Sequence, residues 1–241
     1  MQGTIVNTLA ILGGCILGVA LRNGLSERFK NIIMQAIGLS VLFIGMTSAI
    51  GGLLKPEAEP ILFIVSMVIG GIIGEALDIE KKLDSFGRFL QSKIGNGEHN
   101  ISQGFVTASL IFCVGTMAII GSLESGLQKN HNMLYAKSVL DGITSIILTS
   151  SLGVGVFLSA AAVLFYQGSI VLFASVIEPY LTVDVVREMS IIGGILICGI
   201  GITILDLMKV KTANFLPAIL VPAVYYLLLI PVFSKILVCF H

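Results

Sequence analysis

A lysine and an aspartate stand four residues apart in a stretch that is otherwise almost continuously apolar. Lys137 and Asp141 lie within residues 134–177, and at about 20 residues per crossing this stretch is long enough to cross a bilayer twice. On a helix, residues four apart share one face and can form an ion pair. Ionisable groups at membrane depth usually face the protein interior or a water-filled cavity, so we expect either a structural ion pair or part of a polar path.

Hydroxyl side chains extend this polar face. Asp141, Ser145 and Thr149 recur at intervals of four, which places them along one side of a helix. Two interpretations stay open. The hydroxyls form a track for a solute, or they bond back to carbonyls of their own helix. The other residues predicted on the path are Lys137, Ser138 and Asn7, the last being the one strongly polar residue of the first apolar segment.

The polar face leads to Gly153-Val154-Gly155. This sequence predicts either a tight hairpin between two crossings or an unwound point in a discontinuous helix, where backbone groups could contact a solute. In both cases Gly153 and Gly155 are the hinge or helix break. The secondary candidates for the site are polar residues in later apolar segments, namely Tyr166, Gln167 and Asn214; for Asn214 we favour a role as the cap of the last helix.

The sequence contains no obvious catalytic or metal-binding constellation. Lys137 and Ser138 are adjacent, so on a helix they point about 100° apart and do not form a Ser-Lys pair. Asp141 has no second intramembrane Asp motif with which to form a carboxylate dyad. No P-loop is present, and the three histidines and four cysteines are not clustered. We therefore expect no catalytic residues, no metal, no cofactor and no enzymatic activity.

Composition indicates a membrane protein. The chain of 241 residues is 56% hydrophobic and 12% charged, whereas soluble domains contain about 25% charged residues. Its 14 basic and 14 acidic residues balance, which argues against a nucleic-acid partner. Repeated apolar runs predict an all-α, polytopic transmembrane helix bundle in contact with the lipid bilayer. We expect residues 1–241 to form a single integral membrane domain.

About eight spans fit the sequence, and seven result if 134–177 crosses only once. Basic residues are concentrated in the loops after the first and third spans, which places these loops in the cytoplasm and the N-terminus outside. An eighth span also brings the loop with Lys209 and Lys211 to the cytoplasmic side. The predicted spans cover residues 3–21, 31–54, 61–77, 103–123, 134–152, 156–177, 190–205 and 215–240.

Residues 78–95 predict an amphipathic helix between the third and fourth spans. Ile79, Leu83 and Phe86 recur at intervals of three and four, and the lysines and arginines lie mostly on the other side. We expect this helix to lie on the cytoplasmic membrane surface.

Glycine-rich helix faces and stretches of similar sequence indicate how the spans pack and whether they repeat. Gly14 and Gly18 have the GxxxG spacing that lets helices approach closely, and such faces also favour a homo-oligomer. Residues 69–81 match 197–209 without a gap, and a weaker sequence similarity relates the first span to the fourth. Together they suggest an internal repeat. With eight spans, the segments of the first match have the same orientation in the membrane and those of the second have opposite orientations, so one simple duplication does not produce both.

Several motifs, in order along nearly the whole chain, carry a family resemblance. They are GTIVNTLAILGGCILG, GGIIGEALDIEKKLDSFG, AKSVLDGITSIILTSSLGVGVFLSA followed by YQG, and KVKTANFLPAILVPAVYY. On these motifs the chain resembles the YdfK/YqgA-like family of uncharacterised multi-pass bacterial inner-membrane proteins. The resemblance implies a location in the bacterial cytoplasmic membrane and is compatible with transport, but it brings no substrate or active site.

We therefore expect a secondary transporter or ion-conducting protein for a small solute or ion. Its site is the polar face of 134–152 together with Asn7, and Asp141 is the carboxylate linked to a proton or cation. The alternative is a non-transporting scaffold, sensor or assembly partner that uses its glycine faces and the surface helix. A water-filled cavity at Asp141 favours transport, whereas a tightly packed Lys137–Asp141 pair beside a large exposed glycine face favours the scaffold.

Overall fold

A computed structural model describes residues 1–22, 27–83, 85, 89, 101–113 and 116–229. Over these ranges the chain is helical and has no strand, which confirms the all-α class. The α-helices are α1 (Gln2–Arg22), α2 (Glu27–Leu53), α3 (Pro60–Ala76), α4 (Ile101–Cys113), α5 (Thr116–Leu127), α6 (Asn132–Leu152), α7 (Phe157–Leu172), α8 (Ala174–Ile177), α9 (Val183–Ile204) and α10 (Val221–Val224).

Within the described ranges, four helical segments are long and apolar enough to cross a membrane: Gln2–Leu21, Asn31–Leu53, Val154–Leu172 and Val183–Ile204. A fifth span results if Ile101–Cys113 and Met117–Leu127 are counted as one bent crossing. The apolar segments Pro60–Ala76 and Thr212–Leu227 are shorter, and α6 carries the charges of Lys137 and Asp141. The described chain is therefore all-helical with four or five apolar segments of membrane-spanning length, whereas the number of eight spans stays a prediction.

The helix pairs have defined relative directions. α1 runs parallel to α6, because Gly3 lies beside Leu134 near the start of both helices and Gly18 lies beside Thr149 near their ends. α7 runs antiparallel to α1, because it begins shortly after Ser150, which lies beside Gly18 near the end of α1, and its Gln167 contacts Asn7 near the start of α1. The side chains that are predicted on the polar path thus face the interior between α1, α6 and α7.

Two further pairs are antiparallel. α2 packs against α9 with Gly38 beside Leu205 and Gly52 beside Ile191. α3 packs against a 3-10 helix, Thr212–Leu220, with Gly70 beside Ala218 and Gly74 beside Asn214. The glycines lie at the points where two backbones approach each other closely.

The predicted GxxxG face is a contact within the chain. A Cβ atom at Gly14 would collide with Ser145 and the Gly142 carbonyl, and one at Gly18 would lie 2.6 Å from the Ile146 carbonyl oxygen. At adjacent Gly13, such an atom would have no atom of the described ranges within 4 Å. Gly14 and Gly18 are thus occupied by α6, and the homo-oligomer stays a prediction that these two glycines do not support.

The matching stretches 69–81 and 197–209 end their helices in the same way. In each, an aspartate has a positive φ, 53° at Asp78 and 56° at Asp206, a conformation that aspartate tolerates better than most residues. In both, the aspartate N–H bonds to the carbonyl three residues earlier, and the preceding N–H bonds to the carbonyl four residues earlier. The two stretches share local geometry as well as sequence, while the internal repeat itself stays a prediction.

The predicted surface helix 78–95 is described in part. Residues 79–83, 85 and 89 are helical, with Lys81 and Lys82 exposed and Ile79 and Leu83 half-buried. The other residues of that range lie outside the described part of the chain.

The predicted last span, 215–240, is irregular as far as it is described. The 3-10 helix Thr212–Leu220 contains Pro217, which has no N–H to donate to a helical hydrogen bond. It continues through α10 into a π-helix, Tyr225–Leu229, and residues 230–240 lie outside the described ranges.

Candidate functional site

Lys137 and Asp141 form an ion pair inside the helix bundle. The Nζ atom of Lys137 lies 2.8 Å from Oδ1 and 2.7 Å from Oδ2 of Asp141. The two side chains are only 8% and 7% exposed. The pairing that the spacing predicts is therefore present. Because each charge compensates the other away from water, loss of one partner would leave a buried charge unpaired.

Asn7 connects this ion pair to a third helix. Its Nδ2 group donates to Oδ2 of Asp141 at 3.0 Å and to Oε1 of Gln167 at 3.3 Å. Asn7 and Gln167 are both fully buried. One amide of α1 thus joins the carboxylate of α6 to an amide of α7, and Gln167 belongs to the site.

Three fully buried polar atoms at or near this cluster have no hydrogen-bond partner among the described residues. They are Oδ1 of Asn7, Nε2 of Gln167 and Oγ1 of Thr4, which lies one helical turn before Asn7. A buried polar group without a partner costs about 1–3 kcal/mol. The cluster therefore offers an acceptor, a donor and a hydroxyl to a small polar molecule or ion.

The predicted hydroxyl track is largely occupied by protein contacts. Ser138 Oγ donates to the Leu134 carbonyl at 2.7 Å. Ser145 Oγ lies 2.7 Å from the carbonyl oxygen of Gly142 and 3.1 Å from that of Ile11 in α1. These two hydroxyls follow the back-bonding interpretation, and Ser145 also connects α6 to α1.

Thr149 differs from the two serines. Its hydroxyl is fully buried near the Cys15 thiol of α1, and it makes no hydrogen bond of good geometry to any residue that the structure describes. Of the three predicted hydroxyl positions, Thr149 is the one that is not engaged by a backbone carbonyl.

Gly153 and Gly155 form a hairpin turn rather than a break within one helix. α6 ends at Leu152, and Gly153 has φ 82° and ψ −162°, a backbone conformation that is essentially restricted to glycine. A 3-10 turn, Val154–Val156, then leads into α7, which returns antiparallel to α6.

This turn is remote from the ion pair. Gly153 follows Asp141 by twelve residues, which corresponds to about 18 Å along the helix axis. Gly155 instead packs against the Ile101 carbonyl at the start of α4, where a Cβ would collide with the backbone. The two glycines therefore position α6 and α7, and their backbone does not reach Asp141.

Tyr166 lies next to Gln167 in sequence but on another side of α7. Its partly buried ring packs against an apolar cluster of Ile119, Ile170 and Val186. Tyr166 is therefore not among the residues that bond to the Asn7 cluster.

Asn214 belongs to a different polar cluster and does not cap its own helix as expected. Its Nδ2 group donates to Oε2 of Glu75 at 2.6 Å, and its Oδ1 atom accepts from the Glu80 N–H at 2.7 Å. Nζ of Lys211 lies 2.6 Å from Oε1 of Glu75, and this carboxylate raises the pKa of Lys211 above its ordinary value. Asn214 thus joins the end of α3 to the segment that follows α9.

One buried carboxylate was not expected from the sequence. The predicted spans 156–177 and 190–205 leave the residues between them as a connecting loop, but α9 begins at Val183 and includes Glu188, which is fully buried. Its Oε1 atom accepts from Arg187 Nε at 3.3 Å and from the Glu59 N–H at 3.2 Å. Its Oε2 atom has no partner in the described part of the chain.

A helix-start signal for α9 is present in the sequence. Thr182 accepts a hydrogen bond from the Val185 N–H at 3.3 Å, and Asp184 stands in the first turn. A hydroxyl residue followed by an acid in the first turn is typical of a helix N-terminus. This signal predicts a helix that begins at Val183 and therefore includes Glu188.

Comparison with known proteins gives a family and no solved relative. A family model described as "Protein of unknown function (DUF554)" matches residues 2–227. The "Uncharacterized membrane protein YdfK" of Bacillus subtilis (strain 168) is 39% identical over 225 residues, which cover 93% of this chain and 95% of YdfK. The "Uncharacterized protein YqgA" of Escherichia coli (strain K12) is 28% identical over 223 residues, which cover 90% of this chain and 93% of YqgA. No solved structure matches.

The family match agrees with the motifs that run along the chain, and one relative carries "membrane protein" in its name. The helical, strongly apolar chain agrees with that description. The protein belongs to the DUF554 family.

Proposed function

We propose that this protein is a secondary transporter or ion-conducting protein for a small solute or ion, with Asn7, Lys137, Asp141 and Gln167 as its site. The observation that carries the proposal is the buried ion pair with amide partners and unpaired polar atoms around it. Ionisable residues inside a membrane bundle are costly, and they commonly mark substrate or ion pathways.

The ion pair suggests how binding could be coupled to a change in the site. A cation that binds Asp141 must compete with the Lys137 ammonium, which already lies within 3 Å of both carboxylate oxygens. A proton on Asp141 would likewise weaken the hold on Lys137. Cation binding or protonation at Asp141 would therefore separate the Lys137–Asp141 pair. This coupling supports Asp141 as the proton- or cation-linked carboxylate.

The relative directions of the helices support eight crossings. Eight spans would make α1 and α6 the first and fifth crossings, and these two helices are parallel. They would also make α2 and α9 the second and seventh, and this pair is antiparallel. With the basic loops inside, the N-terminus lies outside the bacterial inner membrane. The matching helix ends at Asp78 and Asp206 support an internal repeat.

A non-transporting scaffold, sensor or assembly partner is the second candidate. The tight packing of Lys137 against Asp141 favours it, because a closed pair can serve structure alone. Gly14 and Gly18 give it no further support, since α6 covers both.

Uptake into proteoliposomes tests the proposal. Wild-type protein is compared with Asp141→Asn across a panel of ions, amino acids and organic acids. Glu178→Gln, which changes an exposed carboxylate, is the matched control. We expect a specific flux that Asp141→Asn abolishes and Glu178→Gln retains. A flux that folded Asp141→Asn carries at the wild-type rate would remove Asp141 from the path, and no flux for any solute would favour the scaffold.

A further inference from the structure

The Asn7 cluster holds one positive and one negative charge, and these cancel. Asp141 contacts the Lys137 ammonium on its own helix and the Asn7 amide on α1. The thiol of Cys113, at the end of α4, lies within electrostatic reach of both charges and is itself neutral in its ordinary protonated form. The closed pair is thus surrounded by uncharged groups.

The other titratable side chains on α1, α4, α5, α6 and α7 lie away from the pair. They are Cys15, Arg22, Glu124, Tyr135 and Tyr166. Cys15 lies beside Thr149, about two helical turns from Asp141, and Arg22 is the last residue of α1. Glu124 stands in the last turn of α5, Tyr135 is exposed, and Tyr166 packs in an apolar cluster. Among the described residues of these helices, the net charge of the site is therefore zero.

This neutrality restricts the ligands that can open the ion pair. Breaking a buried pair so that one charge stays unpaired costs about 3–5 kcal/mol. A lone cation on Asp141 would leave the Lys137 ammonium unpaired, and a lone anion on Lys137 would leave the carboxylate unpaired. An anion on Lys137 together with a proton on Asp141 keeps the net charge at zero. A zwitterion also does so, and the two amides distinguish these cases.

The amides of Asn7 and Gln167 can serve both protonation states of Asp141. Nδ2 of Asn7 donates to Asp141 and to Gln167, while Oδ1 of Asn7 and Nε2 of Gln167 are buried without a partner among the described residues. A half-turn of each carboxamide exchanges the positions of its oxygen and nitrogen. Oδ1 of Asn7 then accepts from a protonated Asp141 and from Nε2 of Gln167. A zwitterion would leave Asp141 ionised and make no use of this reversal.

The same reversal prepares the site for an anion. Nδ2 of Asn7 turns to the position that Oδ1 now holds, and the neutral carboxyl of Asp141 releases the Lys137 ammonium. Thr4 lies one turn before Asn7, and its buried hydroxyl also lacks a partner in the described part of the chain. An ammonium, an amide N–H and a hydroxyl can all donate to one anion. While Asp141 is ionised, the amide position carries an acceptor instead and the ammonium is engaged.

We propose that the site binds a small monoanion together with one proton, the anion at Lys137, Asn7 and Thr4 and the proton on Asp141. The inference rests on the proposed function, because it names the substrate class and the coupled ion of that same site. One proton and one monoanion enter together, no covalent bond of the anion changes, and the buried charge stays balanced. The close packing of Lys137 against Asp141 favours an anion of few atoms.

Proton uptake on anion binding tests the inference without a transport measurement. Purified full-length protein in weakly buffered detergent solution at mildly acidic pH is titrated with sodium formate, acetate, nitrate and chloride at matched pH. We expect at least one of these salts to bind with uptake of one proton per anion. Infrared difference spectra should show a new carboxylic acid band on binding.

Two sets of variants assign the proton and the anion. Asp141→Asn imitates the neutral carboxyl, so it should bind the anion without proton uptake and without the infrared band. Lys137→Met combined with Asp141→Leu should bind no anion, and it leaves no buried charge unpaired if Asp141→Asn proves unstable. Glu178→Gln, which changes an exposed carboxylate, should match the wild type in both readouts.

Three results would overturn the inference. They are no binding of any of the four monoanions, anion binding by the wild type without proton uptake, and binding of glycine, a zwitterion, in place of the anions. A solute flux into proteoliposomes without anion binding would refute this inference and leave the proposed transport standing. Proton-linked anion binding without any flux would support the site and count against transport.

Discussion

Lys137 and Asp141 lie one helical turn apart on α6, and the lysine ammonium is within 3 Å of both oxygens of the aspartate. Asn7 of α1 bonds to the same carboxylate and also to Gln167 of α7. The charge pair therefore connects three helices, and a change of charge at either residue acts on all of them. The stability of the bundle and the solute binding that we propose therefore depend on the same residues.

The first prediction concerns the stability of the ion pair. Lys137→Met or Asp141→Leu alone leaves a buried charge without its partner and should destabilise the protein by about 3–5 kcal/mol. The double variant removes both charges and should recover most of that loss. Unfolding in detergent measures all three variants. Single variants as stable as the wild type would show that the pair is not closed off from water.

The second prediction concerns the contact between α1 and α6. Gly14→Ala places a methyl group against Ser145 and the Gly142 carbonyl, so we expect a loss of about 1–3 kcal/mol from overpacking. Gly13→Ala meets open space and should be neutral or stabilising by up to about 1 kcal/mol. Unfolding of the two variants under the same conditions gives the comparison. Equal effects would contradict the packing of α1 on α6.

The third prediction concerns Glu188. Glu188→Ala leaves Arg187 and the Glu59 N–H without this acceptor, which should cost about 1–3 kcal/mol in stability. Glu178→Ala changes an exposed carboxylate and should have no measurable effect. Detergent unfolding distinguishes them. If both variants behave like the wild type, Glu188 is not buried as described.

The fourth prediction concerns the protonation of Lys211. Because Glu75 raises the pKa of Lys211, the pair stabilises the fold below the ordinary lysine pKa, and this contribution is lost as the pH rises through the raised pKa. Glu75→Gln should return the pKa towards its ordinary value, so Lys211 reacts faster with an amine reagent at mildly alkaline pH. Peptide mass spectrometry measures the rate, with exposed Lys129 as the internal control. An unchanged rate at Lys211 would contradict the pairing.

Contacts within one helix could be predicted from the sequence. The Lys137–Asp141 pair follows from spacing alone, because residues four apart on a helix are neighbours. For Ser138 the sequence left back-bonding and a solute track open, and the structure shows the hydroxyl bonded to the Leu134 carbonyl. The role of Gly14 also follows from its spacing to Gly18, although the sequence does not name α6 as the partner.

Contacts between distant segments could not be predicted in the same way. Gln167 joins Asn7 across 160 positions of sequence, and Asn214 joins Glu75 across 139. Neither pairing has a periodic signal. The Gly153-Val154-Gly155 sequence is compatible with both a hairpin and a helix break, and the direction of α7 distinguishes them only once its contact with α1 is known.

Glu188 was missed for another reason. The charged residues Asp184, Arg187 and Glu188 made the segment before the seventh span resemble a loop, although Thr182 is a helix cap. In the structure the arginine and the Glu59 N–H compensate the carboxylate, which allows it to lie inside an apolar helix.

Access of water to the Asn7 cluster tests the central claim most directly. Asn7→Cys and Leu9→Cys are made in a variant whose four native cysteines are replaced by alanine, and both are reconstituted into liposomes. Leu9 is 60% exposed on the outer surface of α1 and serves as the lipid-facing control. If the cluster lies on a transport path, a membrane-impermeant thiol reagent labels Asn7→Cys well above Leu9→Cys. Equally slow labelling of both positions would show a closed ion pair and contradict the account.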